Sequence, residues 1–145
     1  MNNPWVYGSS PVLELPDCVG FIYKITNLKT NKSYIGKKLK FFQVTKTKTV
    51  TLKSGLKKKK KSKSQVESDW KSYYSSSAEL NADVLSLGEI NFKREILCFC
   101  QSKSECSYME IKYQLQFDVL LDPQGWYNGI VNCKIHRNHL KYLWK

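Results

Sequence analysis

The sequence predicts an α+β domain in which paired β-strands come first and helices follow. Residues 19–38 hold two β-rich runs joined by a turn-like segment, which is typical of a hairpin. Ser102 and Glu105 have the spacing of a capping box at the start of a helix. The 145 residues, 41% of them hydrophobic, match the size and composition of one domain with a single core. We therefore expect residues 1–145 to form a single domain.

The first half of the chain is predicted to contain an arm and two hairpins. Residues 1–17 carry three prolines and are expected to form an irregular N-terminal arm. The first hairpin has strands at 19–26 and 33–38, with a loop of about five or six residues. Residues 41–52 are rich in threonine and valine. The segment 39–66 is therefore predicted to be a basic insertion that forms a lysine-decorated hairpin or an extended arm at a sheet edge.

Helical and strand signals follow this insertion. Helical signals begin near Trp70 and again at the Ser76-Ser77 pair, and Gly88 is suited to end the helix. Residues 92–100 alternate as a strand does, which places the even-numbered residues on one face. Arg94 is among them, and we expect it to pair with an acid.

The last part of the chain is predicted to hold a second helix and a basic tail. The helix runs from Ser102 to about Leu121, where Asp122-Pro123 ends it. Residues 130–145 form the basic C-terminal tail, which mixes aromatic and basic side chains.

Composition also excludes two protein classes and suggests a compartment. No run approaches the ~20 apolar residues that cross a bilayer, and the N-terminus lacks the basic and apolar regions of a secretory signal. Five cysteines, an odd number, favour free thiols in a reducing compartment. We expect a cytoplasmic protein with no membrane partner.

The positive charge of the protein is concentrated in one segment. The formal net charge is +12, and residues 37–71 hold thirteen lysines and two acids, so this segment alone carries +11. Such a distribution is typical of a polyanion binder, although a solvated lysine run would look the same. Lysine meets phosphate as a point charge, which favours backbone contacts over base recognition. The candidate phosphate contacts here are Lys37, Lys40, Lys46, Lys48, Lys53, Lys57, Lys58, Lys59, Lys60, Lys61 and Lys63.

The basic tail supplies further candidates for phosphate contact, namely Lys134, His136, Arg137 and His139. Cys133 and the two histidines have C-x₂-H-x₂-H spacing, which fits the usual pairing of structural zinc ligands poorly. Phosphate contacts are therefore favoured over a zinc site, and a plain basic helix terminus is the remaining alternative.

Two short motifs carry a family resemblance. Gly20-Phe21-Ile22-Tyr23 is followed by Tyr34-Ile35-Gly36, whose tyrosine comes eleven residues after Tyr23. Together they resemble the GIY-YIG nuclease family, with Phe where the family usually has Gly. The chain then continues in the family's order, with a helix, an aromatic-led third strand, a helix that carries a glutamate, and Tyr127-Asn128-Gly129. The resemblance spans about residues 19–129, and residues 70–77 are similar to small phage-encoded members. If the chain is phage-encoded, the expected compartment is the host-cell cytoplasm.

The resemblance implies a fold and an activity. The fold would be a small three-stranded antiparallel sheet flanked by helices, with the lysine-rich segment as an insertion. The activity would be that of an endonuclease that uses Mg²⁺ or Mn²⁺ to hydrolyse phosphodiester bonds of double-stranded DNA. With no added recognition domain, we expect modest specificity, or specificity that comes from the insertion and a second subunit in a homodimer on DNA.

The tyrosines of the two motifs are the first candidate catalytic residues. Strand alternation places Tyr34, Gly36 and Lys38 on one face, and Gly36 leaves space where a nucleic-acid backbone could approach. A phenol with a pKa near 10 is a poor base unless cations such as Lys38 favour the phenolate. By resemblance, Tyr23 would activate or position the attacking water, while Tyr34 and a lysine contact the scissile phosphate. Simple packing in the sheet is the alternative for both tyrosines.

Glu110 is the candidate metal ligand. The predicted helix places it on an apolar stripe with Tyr113, Phe117 and Leu121, where a carboxylate is costly unless it is paired or bound to a metal. The family carries its metal-binding glutamate on this helix, and Mg²⁺ is commonly held by one carboxylate with phosphate oxygens and waters. A lysine partner or a solvated position is the alternative. Asn128 matches the family's downstream asparagine, and it could hold the catalytic strand, contact the site, or be an ordinary turn residue.

The chain departs from the family at an arginine, which the family usually presents on the helix after the second motif. Residues 37–93 contain no arginine. Lys38 and Lys71 are the candidates to stabilise the phosphate, without the two-pronged geometry of arginine. Tyr73 could take the hydrogen-bonding role that a histidine has in some relatives. The alternative function is therefore a non-catalytic nucleic-acid-binding protein on the same scaffold.

Overall fold

The computed structural model describes residues 3–131 and 137–144 and contains one mixed sheet, one separate hairpin and two α-helices. The strands are β1 (Trp5–Tyr7), β2 (Ser10–Val12), β3 (Gly20–Asn27), β4 (Ser33–Leu39), β5 (Phe41–Thr51), β6 (Lys57–Glu67) and β7 (Phe92–Cys100). The helices are α1 (Ala78–Leu87) and α2 (Lys103–Gln116), with 3-10 turns at Glu89–Asn91 and Arg137–Leu143.

The central sheet has five strands in the order β2-β1-β7-β3-β4, so the predicted α+β class is confirmed and the predicted three-stranded sheet is wrong. The two additional strands come from the segment expected to be an irregular arm. β1 pairs in parallel with β7 and antiparallel with β2. Trp5 is fully buried, and its indole N–H donates to the Trp70 carbonyl at 2.6 Å. This long-range packing incorporates a three-residue strand that local sequence signals do not reveal.

The hairpin of β3 and β4 is confirmed with a five-residue loop, since β3 ends at Asn27 and β4 begins at Ser33. The two strands pair antiparallel from Gly20–Leu39 to Thr26–Ser33. β4 lies at one edge of the central sheet. The two sequence motifs therefore lie side by side on neighbouring strands.

The basic insertion folds as a second hairpin, as expected, but it does not extend the edge of the central sheet. β5 and β6 pair over eleven residues each and form a separate two-stranded sheet. Strand β6 forms the second half of this hairpin and is exposed throughout. We call this element the ribbon, residues 41–67.

Helix α1 begins later than one of the two predicted starts. Residues 70–77 form turns and extended chain, so a helix that begins near Trp70 is wrong. The second start is confirmed, because Ser77 is the N-cap and its hydroxyl accepts the N–H of Leu80, and Gly88 is the C-cap. Trp70 is buried in the core at 1% exposure, and this packing overrides the local helical signal.

Strand β7 has the predicted extent but contains a register shift. Tyr23 is paired with Ile96, whereas Ile22 is paired with Cys98, so one extra residue of β7 lies between the two pairs. A bulge of this kind reverses the side-chain alternation. Ile96 packs in one core cluster with Tyr23, and Cys100 packs in the other with Ile22. The prediction that all even-numbered residues of 92–100 share one face is therefore wrong beyond residue 96.

Helix α2 starts as predicted and ends earlier. The Ser102 hydroxyl accepts the N–H of Glu105 at 3.0 Å, and the helix ends at Gln116 rather than near Leu121. Its buried side chains are Cys106 and Gln114. Within the described part of the chain, neither helix is long and apolar enough to cross a bilayer.

Candidate active site

The two motifs interlock where Tyr23 lies opposite Gly36 in the β3–β4 pair. A Cβ atom placed on Gly36 would lie 2.5 Å from the Tyr23 Oη, 2.6 Å from its Cζ and 2.8 Å from Cε1 of Tyr34. The tyrosine rings therefore occupy the space that a side chain at position 36 would need. The packing of these rings therefore explains why position 36 is a glycine. Gly36 is buried, and its contact with nucleic acid stays a prediction.

Three tyrosines form the centre of the site. The Tyr23 ring is 6.1 Å from that of Tyr34 and 6.0 Å from that of Tyr73, which stands perpendicular to it. Tyr23 is 1% exposed. Burial raises its pKa well above the usual value, and the neighbouring Tyr73 and Tyr34 raise it further. Tyr23 is therefore a neutral phenol at physiological pH.

Lys38 joins this cluster from the same face of β4. Its ammonium lies 2.7 Å from the Asp69 carboxylate and 3.9 Å from the centre of the Tyr73 ring. The hydrogen bond and charge of Lys38 lower the pKa of Asp69. Asp69 was not among the site residues predicted from the sequence, although it is one of only two acids among thirteen lysines in residues 37–71. Lys38 is thus in the site, with its charge already paired.

Tyr34 is more accessible than Tyr23 and borders the chain that precedes α1. Its hydroxyl is 3.3 Å from the Ser76 hydroxyl. Its pKa is raised, mainly by burial, while the Ser76 hydrogen bond opposes the shift and the charge of Glu110 adds to it. Glu110 also raises the pKa of Tyr23. The carboxylate therefore lies within electrostatic range of both motif tyrosines.

Helix α2, which carries Glu110, packs against the edge strand β4. The amide and carbonyl of Ile35 bond to both ends of the Asn128 side chain, at 3.0 and 2.8 Å. The Gln114 side chain donates to the same carbonyl at 3.1 Å. Two residues further along the strand, the charge and the N–H of Lys37 act on the Glu110 carboxylate and oppose the rise of its pKa. Side chains from α2 and from the segment after it thus pair with backbone groups along this edge.

Asn128 accordingly holds β4, which was one of the roles predicted for it. Its carboxamide supplies one acceptor and one donor, which is what one residue of a neighbouring strand would supply. The preceding residues continue the pairing, because the Ser33 N–H donates to the Gly125 carbonyl and its carbonyl accepts from Tyr127. Gln114, buried at 5% exposure, is a second positioning side chain that the sequence analysis missed.

The surroundings of Glu110 fit a single-carboxylate metal site. The carboxylate is half-buried, and burial raises its pKa while the charge and the N–H of Lys37 oppose the shift. A cation would remove the cost of this partly buried negative charge. Within residues 3–131 and 137–144, no group of three or more His, Cys, Asp or Glu side chains is arranged to bind a metal. Glu110 fits Mg²⁺ or Mn²⁺ only if phosphate oxygens and waters complete the ligand set.

Arg94 is a structural clamp, and the expectation that it pairs with an acid is wrong. Its guanidinium donates to the carbonyls of Lys71 and Tyr73, both at 2.9 Å, and to the carbonyl of Asn3. It is also stacked between the rings of Trp5 and Tyr74, at 4.7 and 4.3 Å. At 2% exposure it fixes the chain that carries Tyr73. The local alternation of β7 placed Arg94 on an inward face, but its three carbonyl partners are remote in sequence.

Several predicted residues lie outside the tyrosine cluster. Lys71 is close to Glu14, at 3.7 Å, and to the Trp70 ring. Lys37 donates to Ser107 on α2, and Lys40 donates to the Pro16 carbonyl. The ribbon lysines are exposed on their own hairpin, and Arg137 and His139 are exposed in the last 3-10 turn. Lys134 and His136, like Cys133, lie outside the residues that the structure describes.

The comparisons with known proteins give one match. A family model described as "Putative endonuclease segE, GIY-YIG domain" matches residues 5–131, which include β1 as well as the two motifs, Glu110 and Asn128. No curated protein and no solved structure matches.

Proposed function

The chain belongs to the GIY-YIG domain family that this model describes, and from that premise we propose that it is a metal-dependent endonuclease acting on double-stranded DNA. The observation that supports the proposal most is the arrangement around Gly36. The rings of Tyr23 and Tyr34 meet over Gly36, and the half-buried Glu110 carboxylate from α2 raises the pKa of both tyrosines. Packing alone does not require a carboxylate at this position.

In the proposed reaction, Tyr23 orients the attacking water as a neutral phenol. Its raised pKa makes the phenolate a minor form at physiological pH, so positioning is favoured over proton abstraction by phenolate. The Tyr34 hydroxyl, which is near the surface, contacts the scissile phosphate. Lys38 contributes positive charge beside it once a phosphate replaces Asp69 as its partner.

Glu110 holds the divalent cation in this proposal. When bound, Mg²⁺ or Mn²⁺ supplies Lewis-acid stabilisation of the phosphate and of the leaving oxygen. Asn128 and Gln114 fix the strand that carries Lys37, whose charge and N–H favour the ionised form of the Glu110 carboxylate. The ribbon lysines contact the DNA backbone. Action in the cytoplasm and a homodimer on DNA remain predictions.

One observation favours the second candidate, a non-catalytic nucleic-acid-binding protein. The nearest arginine to the expected position, Arg94, is engaged by three carbonyls, and Lys38 is paired with Asp69. The described residues of the site therefore hold no unpaired guanidinium that could stabilise a pentavalent phosphate.

Plasmid cleavage separates the two candidates. Supercoiled plasmid is incubated with the parent or with Glu110→Gln, in Mg²⁺, in Mn²⁺ and in a chelator. We expect metal-dependent relaxation or linearisation by the parent and at least ~100-fold less by the variant, which keeps the side-chain shape and loses the charge. DNA affinity in chelator should be the same for both proteins. Equal cleavage by both would remove Glu110 from the site, and no cleavage by the parent would support the binding protein.

A further inference from the structure

The ribbon is an exposed element with two accessible faces. β5 and β6 pair only with each other, from Phe41–Glu67 at the base to Thr51–Lys57 near the turn. At about 3.3 Å per residue, eleven residues span roughly 36 Å. All of β6 is exposed, and β5 is exposed except for two half-buried valines. No side chain of β5 or β6 is fully buried, so the ribbon forms no hydrophobic core of its own.

The register distributes eight lysines equally between the two faces. Partners across a two-stranded sheet share a face, and successive pairs alternate. One face, which we call the valine face, carries Lys46, Lys48, Lys58 and Lys60, beside three valines. The opposite face, which we call the threonine face, carries Lys57, Lys59, Lys61 and Lys63, each paired with a threonine of β5.

This charge is uncompensated within the ribbon. Its only acid is Glu67 at the base, whose carboxylate accepts the indole N–H of Trp70. None of the ion pairs found among the described residues includes a lysine of either face. Lys48 and Lys60 are direct cross-strand partners, and like charges in this position repel. An anion on each face would relieve the repulsion on both.

We propose that the ribbon enters the major groove of duplex DNA edge-on, so that each lysine face contacts the phosphates of one groove wall. The proposal rests on the proposed function and adds the mode of binding. The major groove of B-DNA, ~12 Å wide, admits a two-stranded ribbon, whereas the minor groove, ~6 Å wide, admits one only when the duplex is deformed. A ribbon lying on the outside of the duplex would use one face and leave four lysines in solvent. Insertion between two phosphate strands brings the four lysines of each face to phosphates.

Two matched variants test the arrangement, because each removes four charges from one face. The first carries Lys→Gln at positions 46, 48, 58 and 60, and the second carries Lys→Gln at 57, 59, 61 and 63. Affinity for one duplex is measured at several salt concentrations in chelator. Insertion predicts that both variants flatten the log–log salt slope, each by up to ~3.6, at about 0.9 per contact. The two reductions should agree to within about one contact.

Other results would overturn the inference. A reduction in only one variant indicates a one-sided clamp, and a reduction in neither indicates a solvated ribbon. Matching Lys→Arg sets at the same positions retain the charge and should keep the parental slope. Thermal unfolding of each variant should match the parent, because the ribbon contributes nothing to the core. If the parent cleaves plasmid but the salt slope falls in only one Lys→Gln variant or in neither, groove insertion is refuted and the proposed function stands.

Methylation protection provides an independent readout of the groove. Dimethyl sulfate modifies guanine N7 in the major groove and adenine N3 in the minor groove. The parent bound in chelator should protect N7 positions over several base pairs, and both Lys→Gln variants should lose this protection. Protection of N3 without N7, or no protection at all with DNA bound, would contradict insertion.

Discussion

Replacing Gly36 by alanine tests the interlock of the two motifs most directly. The added methyl group would lie 2.5 Å from the Tyr23 Oη and 2.8 Å from Cε1 of Tyr34, where ordinary contacts are 3.4–4 Å. The Tyr23 ring must therefore shift by roughly 1 Å or the strands must separate. The ring is 1% exposed and packs against Trp5 at 5.3 Å and Tyr73 at 6.0 Å, so it has little freedom to move.

The expected cost follows from overpacking a close-packed core. Added methylene-sized groups in such sites cost about 1–3 kcal/mol. For a chain of this length, 1 kcal/mol corresponds to roughly 3–4 °C in Tm, so Gly36→Ala should unfold about 3–12 °C below the parent. If Tyr23 positions the attacking water, a 1 Å displacement should also reduce cleavage by about 100-fold.

The assay combines thermal unfolding by circular dichroism with plasmid cleavage at a temperature where both proteins are folded. Gly129→Ala is the matched control, because no atom lies within 4 Å of its added Cβ, and its Tm should stay within about 1 °C of the parent. A double-mutant cycle sharpens the result. In a Tyr23→Leu background the ring is absent, so Gly36→Ala should cost much less than in the parent. A Gly36→Ala protein with parental Tm and parental cleavage would refute the interlock.

Three other predictions concern the side chains of the site. Tyr23→Phe and Tyr34→Phe should each keep the fold by circular dichroism and slow plasmid cleavage by at least about tenfold; parental rates in both would refute the proposed mechanism. Arg94→Lys loses the two separate nitrogens that reach the carbonyls and the planar group between two rings, and it should lower the urea midpoint by the equivalent of about 2–4 kcal/mol; an unchanged midpoint would show that the clamp is dispensable. The pKa of Glu110 in the folded protein is raised above its usual value of 4.5. The protonated side chain therefore stabilises the fold below pH 4.5, and this stabilisation is lost as the pH rises through the folded-state pKa. In chelator, the Tm of Glu110→Gln minus the Tm of the parent should therefore increase between about pH 4 and 7. A Tm difference that does not change with pH would contradict a raised pKa of Glu110.

Local patterns in the sequence were sufficient for much of the fold. The β3–β4 hairpin, the capping hydroxyls of Ser77 and Ser102 and the extent of β7 depend on residues a few positions apart, and each was predicted. The family resemblance was carried by such local motifs and is confirmed by the match over residues 5–131. The ribbon was likewise predicted as a hairpin, because alternation and a turn signal lie within one stretch.

Features that depend on distant contacts were not predicted. The parallel pairing of β1 with β7 joins segments about ninety residues apart, and the buried Trp5 stabilises it. The chain at Trp70 has helical start signals, but burial of the indole keeps it in a turn. A lone strand arginine usually suggests an ion pair, and the three carbonyls that surround Arg94 become visible only in the folded chain.

The site itself shows the same division. The sequence alone determined which residue types are present, namely the motif tyrosines, the glycine two residues after the second tyrosine and a glutamate on the second α-helix. Tertiary structure decided that the Tyr23 ring fills the space over Gly36, and that the Glu110 carboxylate lies close enough to β4 for Lys37 to lower its pKa. The physical reason is that spacing along one strand or helix fixes which side chains share a face. Which element approaches an open strand edge depends on how the whole chain packs.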